Sequence, residues 1–315
     1  MATGPMTSPA TGMTTGAKGV FAMIAACCLW GLSSLYFKAA AHIPAVDMLA
    51  HRTVWSFVFF AFVLFWQGRL KTLPAFLGRH GGVVFLAAIT ISVNWFLFIY
   101  AVQSGQAVQA SLGYYIFPLV AVLLGALFFG ERLGRLQWVA VVLAGGAVVV
   151  LTVGAAVVPV LSLALACSFG VYGVLKKRLS AGPVESVAGE VFLVAPIGIC
   201  WLGWTYSSGN SAVPDLRDLG LLALSGPLTA VPLILFSYAS RRVRMATVGL
   251  VQYLNPTLQF VCAVLVFGEP FTGWHGVAFS LIWVALAIYS WQTLSEDRAA
   301  RKARIKVSIS GTSVM

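Results

Sequence analysis

Most of the side chains in this sequence that could do chemistry stand inside long apolar runs, where a charge or an amide is costly to bury. Two charged groups open stretches 138 residues apart, Asp47-Met-Leu-Ala-His51-Arg52 and Glu185-Ser-Val-Ala-Gly-Glu190. A guanidinium at Arg52, with His51 beside it and Asp47 about one turn further out, suits the anionic group of a solute. The competing reading is an arginine that snorkels to lipid headgroups. Glu190, like Asp47, is a candidate for gating or coupling, or a counter-ion for an organic cation. If the two stretches enter a membrane from opposite sides, about 15 Å of depth separates Arg52 from Glu190, using ~1.5 Å per residue, so no direct ion pair is expected.

A second set of candidates surrounds two prolines. Pro118 and Pro256 occupy the same place in the two copies of a repeat, and proline inside a span frees a backbone carbonyl that a neighbour or a cavity must satisfy. Paired interruptions of this kind point to a central site. Tyr115, Tyr253 and Asn255 lie close to them, while Asn94, Trp95 and Tyr238 come from other apolar runs. We therefore expect a cavity near mid-membrane lined by Asn94, Trp95, Tyr115, Tyr238, Tyr253 and Asn255. Asn94 could equally be a hydrogen-bonded tie between helices. The prolines could serve packing alone.

The elements that must position these groups are ten apolar runs, near 18–38, 47–66, 81–101, 107–130, 135–153, 157–176, 185–206, 217–239, 246–268 and 273–293. Each is close to the roughly 20 residues that cross a bilayer as helix. Residues 1–17 read as a disordered tail and 294–315 as a basic cytoplasmic tail. An offset of 138 aligns Leu112, Tyr115, Pro118, Leu127, Phe129, Gly130 and Glu131 with Leu250, Tyr253, Pro256, Leu265, Phe267, Gly268 and Glu269. Residues 18–153 and 157–293 are thus two copies of one unit. Five spans per copy invert the second copy, giving an all-α membrane protein of ten transmembrane helices in two inverted five-helix repeats. The terminal Gly-Glu pairs read as helix stops, each followed by a carboxylate at the start of the next span.

Composition excludes several classes. Of 315 residues 60% are hydrophobic and 9% charged, with a net charge of +11, too little charge to clothe a soluble globule of this size. The basic residues lie in short loops, with 17 of the 20 Lys and Arg on one side of the ten-span topology; that bias argues for cytoplasmic termini and against nucleic-acid binding. The five cysteines are odd in number, lack metal-ligand spacing and all fall inside apolar runs, and no disulfide framework or metal site follows. No phosphate-binding loop is present, so transport would draw on a gradient or on exchange. No cofactor and no enzymatic activity are expected, because the scattered His42, His51, His80 and His275 form no catalytic or metal motif. An intramembrane lipid-processing enzyme is the competing class. A small-molecule substrate and membrane lipid are the expected partners, with either a monomer or a homodimer compatible.

The stretches Leu29-Trp30-Gly31-Leu32-Ser33-Ser34-Leu35-Tyr36-Phe37-Lys38, Ala50-His51-Arg52 and Tyr114-Tyr115-Ile116-Phe117-Pro118-Leu119 resemble the RarD branch of the drug/metabolite transporter superfamily, and the closing Gly-Glu pairs are similar to the EamA pattern. The resemblance covers residues 18–293. It implies two five-helix EamA-type repeats in the cell inner membrane and carriage of a small metabolite, an amino acid or a related amphipathic solute. An organic cation or drug-like molecule is the alternative cargo.

Overall fold

The computed structural model describes residues 15–130, 133–154, 159–179, 182–209, 215–243 and 245–311. The helices are α1 Thr15–Ala39, α2 Ala45–Trp66, α3 Leu73–Gln103, α4 Ala107–Phe129, α5 Arg135–Gly154, α6 Val160–Lys177, α7 Pro183–Ser207, α8 Leu216–Ser240, α9 Met245–Gln252, α10 Leu254–Val261 and α11 Gly273–Gly311. A π-helical turn, Cys262–Val266, continues α10, so α9, α10 and this turn together make the ninth span. Among the described residues, ten spans are long and apolar enough to cross a membrane.

Local chemistry sets the element ends. Gly130 and Gly268 adopt φ of 64° and 67°, the left-handed stop that glycine tolerates without a Cβ clash. Asp215 caps α8 by accepting the Asp218 N–H at 2.8 Å. The third span starts earlier than its apolar run suggested, because Leu73 and Pro74 open the helix ahead of the polar stretch at Arg79-His80. The last span likewise runs on to Gly311, since 294–310 contains neither Gly nor Pro. Of the tail 1–17 expected to be disordered, residues 15–17 open α1 and residues 1–14 lie outside the described residues, as does Glu131.

The two halves pack as related copies. α5 packs on α11 and α2 on α7; α3 and α4 meet α6 just as α8 and the α9–α10 span meet α1, and α2 meets α8 as α7 meets α3. Each pairing maps onto another when the halves are exchanged. Gly31 lets α1 approach the backbone of α10, where a Cβ would stand 2.6 Å from Leu258 Cβ and 2.9 Å from the Asn255 carbonyl. Gly113 plays the same part between α4 and α6.

Contacts at the helix ends fix the directions. Gly19, near the start of α1, abuts Val243 after α8, and Arg69 after α2 binds Glu185 at the start of α7 at 2.8 Å. At the other end His42 after α1 meets Asp218 at 2.8 Å, and Glu269 meets the start of α4. α1 therefore runs from the first side to the second, while α6 returns to the first. The repeats are inverted.

Candidate functional site

The second turn of α2 carries Arg52 into the bundle, where α1, α3 and α8 close around it. The residue is 8% exposed. Its guanidinium carbon lies 4.1 Å from the centre of the Trp95 ring and 5.6 Å from that of Phe37, a cation–π arrangement strengthened by desolvation. Nε donates to Thr229 Oγ1 at 2.9 Å, and Thr229 in turn donates to the Ser225 carbonyl, leaving its oxygen lone pairs for the arginine. Among the described residues no carboxylate lies within ion-pair distance of Arg52, and Nε is its one hydrogen-bonded nitrogen. Arg52 is a buried cation whose outer nitrogens make no hydrogen bond among the described residues.

The neighbours of Arg52 on α2 tie the outer half of that helix to α7. His51 Nε2 and Tyr206 Oη share a hydrogen bond of 2.8 Å, and Trp201 Nε1 donates to Asp47 Oδ1 at 2.8 Å. Asp47 and Glu185, repeat equivalents, thus each bind the far end of the partner helix, Asp47 at Trp201 and Glu185 at Arg69.

Glu190 makes no ion pair with Arg52, in keeping with the different depths expected of them. It accepts from Lys176 Nζ at 2.6 Å, Tyr172 Oη at 3.0 Å and Ser186 Oγ at 3.2 Å, and it is 3% exposed. A narrow cavity between α2, α3 and α7, lined by Thr53, Ile91, Ser92, Trp95, Glu190 and Val194, joins this carboxylate to the aromatic ring that stacks on Arg52.

The aromatic and amide candidates divide into separate groups. Trp95 alone joins Arg52. Asn94 is 1% exposed; Nδ2 donates to the Leu165 carbonyl at 3.0 Å and Ser168 Oγ at 2.9 Å, and Oδ1 accepts from Tyr114 at 3.0 Å. It ties α3, α4 and α6 together and offers no free donor to a solute in this conformation. Tyr115 turns toward α10 and α11, bonding Thr257 at 2.6 Å and packing edge-on against Phe279. Tyr253 stands at the break between α9 and α10, and Asn255 Oδ1 accepts from Gln259 at 3.0 Å. Tyr238 lies at the end of α8 under the Arg242 guanidinium, 3.7 Å from its ring centre. The six residues thus make separate contacts here: Trp95 at Arg52, Asn94 between α3, α4 and α6, Tyr115 against α10 and α11, Tyr253 and Asn255 along the ninth span, and Tyr238 beside Arg242.

The prolines also differ. α4 passes through Pro118 unbroken, whereas the ninth span breaks three residues before Pro256, whose carbonyl accepts Ser111 Oγ at 2.9 Å. Glu269 corrects another expectation. Its carboxylate does not serve the start of α11 but accepts the Ala107 and Val108 N–H groups, both at 2.8 Å, capping α4 in the other repeat. Sequence reasoning missed Thr229 and Lys176. The usable signal for Lys176 was its place in the last turn of α6, one short loop away from the start of α7 and so on the same side as Glu190.

With this geometry described, comparison with known proteins gives consistent matches. The model of the EamA-like transporter family matches residues 17–153 and 158–291, one copy per repeat. The chain belongs to this family. Protein RarD of Streptomyces exfoliatus is 40% identical over 296 residues, covering 91% of either chain, and Protein RarD of Escherichia coli (strain K12) is 36% identical over 291 residues, covering 90% of this chain and 98% of its own. Uncharacterized transporter YojE of Bacillus subtilis (strain 168) is 41% identical over 293 residues, covering 90% and 97%. These relatives place the chain on the RarD branch. A solved crystal structure at 21% identity, with a TM-score of 0.55 over 86% of this chain and 96% of that one, shares the fold. The EamA copies coincide with the inverted halves, and the protein is a multi-pass membrane transporter.

Proposed function

We propose that this EamA-family protein is a secondary active transporter that carries a small metabolite with a carboxylate, an amino acid or a related amphipathic solute, across the inner membrane by alternating access. The observation that carries this reading is Arg52. A desolvated cation with aromatic stacking, one side-chain acceptor and no protein anion is costly to maintain, and a solute anion that pairs with its outer nitrogens offsets the cost. The planar fork of guanidinium matches a carboxylate in two-pronged geometry. Organic cation carriage has less support, because Glu190, the expected counter-ion, is already neutralised by Lys176.

Inverted repeats that meet through reciprocal contacts at both ends of α2 and α7 supply two sets of ties, one per side, that can open in turn. The excess of Lys and Arg on the side of the α2–α3 and α6–α7 loops supports cytoplasmic termini.

The test is counterflow in proteoliposomes with labelled amino acids, short-chain carboxylates and tetraalkylammonium salts. Saturable exchange of a carboxylate-bearing probe is expected. Exchange of the ammonium salts alone would overturn the anionic reading.

A further inference from the structure

The Lys176–Glu190 pair is not needed to bind a solute anion, yet its carboxylate partner Glu190 lines the narrow cavity that Trp95 also borders. Glu190 is 3% exposed and takes hydrogen bonds from Lys176, Tyr172 and Ser186. Lys176 also bonds Ser186, so the ammonium bridges α6 to the first turns of α7. The two partners differ in freedom. Glu190 lies two turns into α7, whereas Lys176 ends α6 with a side chain 22% exposed, and a lysine stem of that length can withdraw to the membrane surface while keeping its charge. The groups facing Glu190 are few. Lys176 and Tyr172 approach from α6, Ser186 from its own helix, Ser92 and Trp95 border the cavity from α3 and Thr53 from α2; Lys176 supplies the one ion pair to Glu190 among the described residues.

Breaking a buried pair by removing one partner strands an uncompensated charge, which is strongly unfavourable. A carboxylate left in that position is neutralised by a proton instead. We infer that Glu190 is the proton-coupling carboxylate of this carrier and that Lys176 is the cation it exchanges for a proton. As α6 and α7 part, Lys176 Nζ leaves as ammonium, a hydronium ion of the bathing solution gives its proton to Glu190 Oε1 and is left as water, and the buried site stays electrically neutral. Return of Lys176 displaces that proton. Arg52 occupies the same repeat position as Glu190 with the opposite sign, so the pair of sites accepts one anion and one proton, and the two loaded sites together carry no net charge. This last step rests on the anion reading of Arg52; the proton exchange at Glu190 does not.

Infrared spectroscopy of the reconstituted full chain tests the proton site without a substrate. On acidification, wild type is expected to gain a protonated-carboxyl C=O band that is missing from Glu190→Gln. Lys176→Met should show that band already at neutral pH, while Lys176→Arg, which keeps the cation and guards against a folding defect, should behave as wild type. No Glu190-dependent band in any of these proteins would overturn the proposal. In proteoliposomes with an imposed pH gradient, Glu190→Gln should lose gradient-driven accumulation of a labelled carboxylate probe by about tenfold or more. Undiminished accumulation in Glu190→Gln would also overturn it. A wild type that exchanges no carboxylate yet shows the Glu190 band would instead remove the Arg52 reading and leave the proton site standing.

Discussion

At the scale of single residues, Thr229 and Trp95 decide how Arg52 is held. Thr229 accepts from Nε and fixes the plane of the guanidinium, and Trp95 supplies the face on which it lies. Thr229→Val keeps the shape and removes the acceptor. The loss of one hydrogen bond to a charged group is worth about 1.5–3 kcal/mol, so probe affinity should fall by about tenfold or more, measured as the half-saturation of counterflow, with expression unchanged. The charge at Arg52 was legible from the chain, because an arginine inside an apolar run stands out against its surroundings. Thr229 was not, since one threonine among the small residues of a span gives no sign of which helix it faces. For Tyr115 and Asn94 the chain left the choice open: both are polar groups inside spans, and their partners, Thr257 for one and Leu165 and Ser168 for the other, lie on helices whose rotation no linear pattern sets.

Helices meet here through close backbone approach and through carboxylates that reach across the repeat boundary. A Cβ at Gly31 has no room against Leu258 and the Asn255 carbonyl. Gly31→Ala should therefore force α1 away from α10 and lower stability by about 1–3 kcal/mol, read as an earlier thermal unfolding in detergent. Glu269 caps α4 from the opposite half. Glu269→Gln keeps the size but loses the charge that favours a helix N-terminus, and it should destabilise by about 1 kcal/mol. The Gly-Glu motif announced both helix ends in the sequence, and the glycines adopt the expected left-handed turn. Which helix the glutamate would cap depended on the folding of one half against the other. The break at Tyr253 was signalled by Pro256, whereas Pro118, its repeat equivalent, leaves α4 intact.

For the whole molecule, the ten spans and the inversion were readable because membrane thickness fixes span length and an odd number of spans per repeat leaves no other arrangement. The orientation relative to the cytoplasm is a prediction of the charge bias. In a variant lacking the native cysteines, Lys71→Cys should react with a membrane-impermeant maleimide in inside-out vesicles alone, and Arg217→Cys in intact cells; the reverse pattern would invert the assignment. In the proposed transport cycle Arg52 is the seat of the solute carboxylate. The most direct measurement is counterflow of an exchanged carboxylate probe by equal amounts of folded wild type and Arg52→Lys. Lysine keeps the charge but lacks the two-pronged fork, and the account predicts that kcat/KM falls by about tenfold or more, the equivalent of roughly 1.4 kcal/mol. Near-equal values would contradict it, because an arginine that merely reaches for the interface is replaced by lysine without loss.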